Sequence, residues 1–170
     1  YNNLISLKVH VSEGWSDILV QLKRRHDLIG NLVETAKGYA KHEAATLEKV
    51  VQARNAAKTA EGGDMKGVMA AEKELTSALR GINFSALAES YPDLKANANF
   101  LQLQSELADT ENKVAASRRF YNTTVTSLNT AVEQFPSNLF AGMAGAAKAE
   151  FFDLGEDEKA AVEAAPKVKF

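Results

Sequence analysis

Apolar residues recur along most of this chain at alternating steps of three and four, the period of one face of an α-helix. In the first third the repeat runs through Leu4, Leu7, Val11, Trp15, Ile18, Leu22, Ile29, Leu32, Ala36, Tyr39, Leu47 and Val50. This pattern predicts one very long helix, or two helices joined at Gly30, ending near Gly62-Gly63. A glycine costs about 1 kcal/mol in a helix interior, so Gly30 is the expected kink.

A second helix is predicted between Asp64 and Pro92. The Asp64 side chain is a suitable N-cap, and Pro92 is expected to end the helix because the residue before a proline disfavours α geometry. The apolar face of this predicted helix runs through Val68, Leu75, Leu79, Ile82 and Leu87 up to Tyr91.

The remaining apolar repeat predicts a third long helix and a short fourth one. The third is expected to begin between Asp93 and Asn99, to carry Leu101 on its apolar face, and to stop at Phe135-Pro136. The fourth, LFAGMAGAAKAEFF at 139–152, is rich in small residues and is expected to pack closely after a cap at Ser137 or Asn138.

The predicted fold is all-α, because no stretch alternates between apolar and polar residues as a strand does. We expect an elongated antiparallel four-helix bundle with three long helices and a shorter C-terminal one. Residues 1–170 are expected to form a single domain, with 155–170 as an irregular tail. At 170 residues, the chain is long enough for one sizeable hydrophobic core.

Composition excludes several functional classes. The net charge is -2, so no bulk positive field attracts nucleic acid, which is not expected as a partner. The absence of cysteine excludes disulfides, zinc–thiolate sites and thiol nucleophiles. No stretch approaches the roughly 20 apolar residues that span a bilayer. Since the apolar residues are expected to lie on internal faces, the chain as given is expected not to bind lipid.

Charged residues nevertheless occur on the predicted apolar faces. Continuing the first repeat places Arg25 and Glu43 on the core side, and continuing the third places Glu111 and Arg118 there. With His26, these four form a predicted structural polar layer. Glu111 is expected to be substantially buried and bonded to Arg25, Arg118 or His26, because breaking a buried ion pair costs about 3–5 kcal/mol. The alternative is that the layer lines a pocket for a ligand or metal.

Metal and catalytic motifs do not favour that alternative. A di-iron bundle needs a carboxylate three residues before a histidine, but Leu7, Lys23 and Tyr39 hold those positions before the three histidines. The string His-Glu-Ala-Ala-Thr at 42–46 lacks the second histidine of a zinc-protease helix. We therefore expect no cofactor, no metal site and no catalytic residues.

Long strings of this sequence resemble the LemA family. The resemblance runs through YNNLISLKVHVSEGWSDILVQLKRRHDLIGNLVETAKGYAKHEAATLEKVVQAR, then EKELTSALRGI, ESYPDLKANANFLQLQSELADTENKVAASRRFYN, FPSNLFAG and the terminal PKVKF. It covers most of the chain. One departure is Gly30, where the family usually has proline, as in Leu-Ile-Pro-Asn-Leu.

The resemblance implies a fold and a location more than a chemistry. LemA proteins are similar to four-helix bundles carried behind one N-terminal transmembrane helix, which in the family ends just before the Tyr-Asn-x-Leu segment. The resemblance therefore implies a single-pass membrane anchor upstream of Tyr1, on an uncertain side of the membrane. It also implies no assigned enzymatic activity, and a non-enzymatic interaction or scaffold role in the bacterial envelope with other membrane or envelope proteins as partners. The alternative is a small-ligand-binding or enzymatic bundle that uses the charged layer.

Overall fold

The computed structural model describes residues 1–134 and 136–152, and every regular element among them is helical. The all-α class is therefore confirmed, whereas the antiparallel four-helix arrangement stays a prediction. The α-helices are α1 (Asn2–Lys37), α2 (Ala44–Ala60), α3 (Met65–Arg80), α4 (Phe84–Ser90), α5 (Pro92–Lys95) and α6 (Ala98–Glu133). Short 3₁₀ turns occur at Lys41–Glu43 and Ser137–Phe140.

The first predicted helix is interrupted, but not at Gly30. Helix α1 continues through Gly30 to Lys37, and the interruption comes at Gly38, before α2 begins at Ala44. The amide of Ala40 donates to the Ala36 carbonyl at 2.8 Å, so the chain turns here with its backbone hydrogen bonds satisfied. The junction between two helices expected at Gly30 was wrong, because α1 has no break there, whereas the expected kink stays a prediction.

The second predicted helix is also divided. The Asp64 side chain accepts from the Gly67 amide at 3.0 Å, which confirms the predicted N-cap of α3. Helix α3 then stops at Arg80, and the Asn83 side chain caps α4 by accepting from the Ser85 and Ala86 amides. The break was missed because the apolar period continues across it, while the cap residue Asn83 marked it in the sequence.

The third predicted helix is present as α6, but the fourth is not. Its predicted start and length are confirmed, although Leu101 is exposed and the neighbouring Phe100 is buried. After α6 the chain forms the Ser137–Phe140 turn, further turns to Gly145, and an irregular stretch at 146–152. Gly145 has a φ of 63°, a left-handed conformation that favours glycine, and the turns end at this residue.

The described residues divide into two compact units, which we call the central unit (23–109) and the terminal unit (1–22 with 110–152). The central unit has an aliphatic core built from α1 to α6, including Ile29, Leu32, Leu47, Leu75, Leu94 and Phe100, all fully buried. The terminal unit buries Leu4, Ile18, Leu22, Val114, Tyr121, Val125 and Phe152. The expected single domain stays a prediction, and the expected tail at 155–170 lies outside the described residues.

Candidate functional site

The central unit contains a buried charge network that joins α1 to α3. Arg25 and His26 on α1 and Glu72 on α3 are 3%, 1% and 1% exposed, the burial of core residues rather than of charged ones. The Arg25 guanidinium donates from Nη1 to Glu72 Oε2 at 2.8 Å and from Nη2 to Thr76 Oγ1 at 3.1 Å. Because a buried carboxylate without a partner is very costly, these bonds are required for α1 and α3 to pack here.

His26 lies between two carboxylates. Its Nδ1 is 2.5 Å from Glu61 Oε1, and its Nε2 bonds Glu72 Oε1. A neutral imidazole donates from only one nitrogen, so carboxylates at both nitrogens indicate the doubly protonated imidazolium. Arg25 and His26 then supply two positive charges against the negative charges of Glu61 and Glu72, which leaves the network neutral.

The pKa of His26 follows from this geometry. Burial desolvates the imidazolium and by itself lowers the pKa, but the hydrogen bonds and charges of Glu72 and Glu61 together outweigh burial and raise the pKa above its ordinary value. The raised pKa favours the charged form that both carboxylates require. His26 therefore connects α1 at once to α3 and to Glu61, the residue that ends α2.

The Arg54 side chain of α2 lies directly against α1 beside His26. Its Nε donates to the His26 backbone carbonyl at 3.0 Å, and its Nη2 is 3.9 Å from Asp27 Oδ1. A Cβ at Gly30 would meet the Arg54 guanidinium at 3.1 to 3.3 Å, closer than such contacts usually are. Gly30 thus leaves the space in which Arg54 reaches the α1 backbone.

The five residues of the predicted polar layer occupy different environments. Arg25 and His26 are buried in the central unit, as predicted, and Glu72 joins them. Glu43 ends the 3₁₀ turn before α2 and is half-buried. Glu111 and Arg118 belong to the terminal unit, where Arg118 is buried and Glu111 is half-buried. The bond of Glu111 to Arg25, Arg118 or His26 stays a prediction.

Sequence reasoning missed the two carboxylates of the network. Glu72 stands four residues after Val68 and three before Leu75, so the repeat that identified the α3 face passes through it. A charged residue in line with buried leucines was the available signal. Glu61 gave no such signal. It directly precedes Gly62-Gly63, so the sequence predicts that it lies in a loop.

The terminal unit uses polar side chains differently, to hold the irregular stretch 146–152 against α6. The Asn129 amide group donates to the Ala149 carbonyl at 3.2 Å and accepts from its amide at 2.8 Å. Asn122 makes the same pair of bonds to Phe152, at 3.1 and 2.9 Å. Asn122 and Asn129 are seven residues apart on a helix, a rise of about 10.5 Å. Ala149 and Phe152 are three residues apart, which is about 10 Å in an extended chain, so the two spacings match.

Aromatic packing completes this attachment. The Trp15 ring lies 6.0 Å from that of Tyr121 and 5.7 Å from that of Phe152, centroid to centroid, in tilted arrangements. The Tyr121 hydroxyl donates to the Glu150 carbonyl at 3.0 Å. Burial, and secondarily the charge of Glu150, raises the pKa of Tyr121 above its ordinary value, so the hydroxyl remains a donor.

A groove of about 760 Å³ runs between α2 and α3 in the central unit. Small side chains such as Ala53, Ala71 and Ala78 form its floor, and Lys49 and Glu74 contribute charges at its edge. Neither His26 nor Glu72 lines it, so the groove and the charge network are separate features. Within residues 1–134 and 136–152, no group of three or more His, Asp or Glu side chains is arranged to hold a metal ion.

The sequence of this chain matches one protein family. A sequence model of the LemA family matches residues 14–170. This chain belongs to the LemA family. None of the helices in the described part of this LemA-family chain is long and apolar enough to cross a membrane.

Relatives of this LemA-family chain carry two kinds of name. It is 27% identical over 162 residues to Protein LemA of Metamycoplasma hominis, a match that covers 95% of this chain and 73% of that protein. It is 23% identical over 179 residues to Magnetosome protein MamQ 2 of Paramagnetospirillum magneticum and 22% identical over 176 residues to Magnetosome protein MamQ of Magnetospirillum gryphiswaldense. These two matches cover 89% of this chain and 64% of each relative.

Proposed function

We propose that this chain is the helical part of a non-enzymatic, membrane-anchored interaction or scaffold module of the bacterial cell envelope. An antiparallel four-helix arrangement is part of this proposal, with α1, α2, α3 and α6 as its helices in place of the three long helices and short C-terminal helix that the sequence predicted. Family membership supports the proposal, as do the relatives that are named as magnetosome proteins.

The observation that carries the non-enzymatic part is the internal pairing of the buried charges. Both ring nitrogens of His26 are bonded to carboxylates, so neither is available to take a proton from a substrate or to bind a metal. Both oxygens of Glu72 are likewise bonded, one to Arg25 and the other to His26. The buried acid–base side chains of the central unit, His26 and Glu72, thus serve to join helices to one another.

The membrane part of the proposal rests on the resemblance of the sequence to the LemA family and on membership of that family. A single transmembrane helix upstream of Tyr1 would tether the module, and other membrane or envelope proteins would be its partners. A module of this kind needs a rigid body rather than a reactive site. The buried network serves that need, because a salt bridge that is satisfied only in one packing specifies which helices meet.

A ligand-binding function is the second candidate, and the groove between α2 and α3 favours it. Its volume of about 760 Å³ falls in the range of small-molecule sites, which are usually pockets of about 300–1,000 Å³. The Lys49 ammonium and the Glu74 carboxylate would supply the polar contacts for a small zwitterionic ligand. This candidate uses the groove and not the charge network.

The experiment that tests the proposal replaces the network while keeping its volume. Full-length protein carrying Arg25→Met, His26→Leu and Glu72→Met should fold, remain in the membrane fraction and recover the wild-type partners in proximity labelling. The matched variant Ala53→Trp, which fills the groove, should also keep those partners. Loss of function in the network variant despite an intact fold would contradict a structural role, and loss only in the groove variant would favour ligand binding.

A further inference from the structure

Residues 137–147 pack with their small side chains inside and their large ones outside. Ala141, Ala144 and Ala146 are 8%, 5% and 8% exposed and lie in one core cluster with Leu4 and Leu128. In the same segment three large apolar residues, which we call the apolar tip, face outward: Leu139 is 64%, Phe140 42% and Met143 73% exposed.

This arrangement is the reverse of what folding alone would favour. Burying a leucine, phenylalanine or methionine side chain stabilises a fold far more than burying an alanine does. The sequence predicted a helix here with its apolar residues on an internal face, and for that reason predicted no binding of lipid, an expectation from which the inference below departs. The chain turns instead, at Ser137–Phe140 and again at Gly145, and these turns present the apolar tip outward. Three adjacent exposed side chains of this kind indicate a surface that contacts something else.

The composition of the segment indicates what that contact is. Residues 137–147, SNLFAGMAGAA, contain no charged side chain, so no charge must be desolvated when the segment leaves water. The apolar tip is also too small for a stable protein interface, which generally buries more than about 1,000 Å². A short uncharged turn that carries Leu, Phe and Met suits shallow insertion at the boundary between lipid headgroups and acyl chains.

The position of the segment in the fold agrees with a lipid contact. The Lys8 ammonium donates to the Ala144 carbonyl at 3.3 Å, so the segment is fixed to the first turns of α1. The exposed Lys8 is well placed to meet headgroup phosphates, and the Tyr1 ring, 58% exposed, belongs to a residue type common at membrane interfaces. All of these residues lie within the terminal unit.

We propose that the apolar tip inserts into the surface of the lipid bilayer to which the protein is anchored. The proposal rests on the proposed function, because an anchor upstream of Tyr1 would bring this end of α1 to the membrane. These three side chains give the terminal unit an affinity for lipid of its own, and the anchor strengthens the contact by raising the effective concentration of lipid. Insertion would fix the orientation of the terminal unit on the membrane by adding a second point of attachment.

The test uses residues 1–170 and vesicles of phosphatidylcholine, alone and with phosphatidylglycerol, in flotation assays. The test variant is Leu139→Ser, Phe140→Ser and Met143→Ser together. The matched control is Val20→Ser with Phe120→Ser, which removes two apolar side chains of the same unit that are 64% and 54% exposed but lie outside the tip. Near-ultraviolet circular dichroism of Trp15 checks that both variants keep the terminal unit folded.

The wild type and the control should float with both vesicle types, and the tip variant should bind about tenfold more weakly or worse. A wild type that stays unbound, or a tip variant that binds as well as the wild type, would overturn the proposal. So would a lipid-free wild type that is dimeric by ultracentrifugation and becomes monomeric in the tip variant, since the tip would then bind a second copy. Fractionation of the full-length protein separates this proposal from the proposed anchor. If full-length protein with the tip substitutions remains in the membrane fraction, the anchor is supported, whether or not residues 1–170 bind vesicles.

Discussion

The central and terminal units solve the same problem, the burial of polar groups, in opposite ways. The central unit buries full charges and satisfies them with one another, through Arg25, His26, Glu61 and Glu72. The terminal unit also buries one charged side chain, Arg118, but it holds its irregular stretch with neutral amides, which satisfy the backbone there. Charge pairs define which helices meet, because a wrong neighbour leaves a charge without a partner. Amide pairs instead fix the position of an extended segment along the axis of the helix to which it is bonded.

The two solutions should differ most in the cost of removing one partner. Loss of one member of a buried charge network leaves an uncompensated charge, whereas loss of a neutral amide leaves unpaired dipoles.

Glu72→Ala should lower the free energy of unfolding by about 3–5 kcal/mol, because it leaves Arg25 and His26 charged and buried without their shared partner. The matched control is Glu74→Ala on the same helix, where the side chain is exposed and the change should stay within about 0.5 kcal/mol. Urea denaturation measures both. Equal midpoints for the two variants would show that the central unit does not depend on its charge pairs.

In the terminal unit, Asn122→Ala with Asn129→Ala should cost about 2–4 kcal/mol, since four hydrogen bonds of about 0.5–1.5 kcal/mol each are lost and water replaces some of them. Each single variant should cost about half as much. The variant should also expose residues 146–152 to proteolysis, which the Glu72 variant should do less. Protection of that stretch in the double variant would contradict the role assigned to the two asparagines.

The pH dependence of stability should come from the central unit. The pKa of His26 is raised in the folded state, so its stabilisation is complete below the unfolded value of about 6.5 and is lost as pH rises through the folded pKa. Stability should therefore fall above about pH 6.5, by at most about 1.4 kcal/mol per pH unit. His26→Gln should remove this slope, and His42→Gln, at an exposed position, should keep it. Thermal melts from pH 6 to 10 measure it.

The smallest effect concerns Gly30. Gly30→Ala alone should gain little stability, since the new methyl group meets the Arg54 guanidinium at about 3.1 Å. In an Arg54→Ala background the same change should gain about 1 kcal/mol, the ordinary helix advantage of alanine over glycine. A double-mutant cycle measures the coupling between the two positions. If Gly30→Ala gains equally in both backgrounds, the packing of Arg54 does not explain why α1 keeps a glycine.

Local periodicity predicted the long helices well, since α1 and α6 each repeat their apolar residues over ten turns. It could not predict the breaks at Gly38 and Gly81, because the same apolar faces continue on both sides of them. It also failed at 139–152, where alanines favour helix but Asn122 and Asn129 offer the backbone other partners. Those partners lie far away in the sequence, so no local rule reveals them.

Only part of the buried charge network could be predicted from the sequence, again because its other members come from distant parts of the chain. Arg25 and His26 could be assigned to the core from one helical face alone. Their carboxylate partners depend on how α1, α2 and α3 meet, which is tertiary information. Glu72 was accessible in principle as a charge in an apolar repeat, whereas Glu61 was not.

The paired asparagines also constrain how this protein can evolve. Two turns of α6 match three extended residues, so the stretch from Ala149 to Phe152 has a fixed length but not a fixed composition. Phe151 is exposed, so its side chain can be substituted without removing any of these hydrogen bonds. A one-residue insertion or deletion between Ala149 and Phe152 would displace one asparagine by about 3.4 Å from its backbone partners. Among homologues, this stretch should therefore vary in residue type while remaining without gaps.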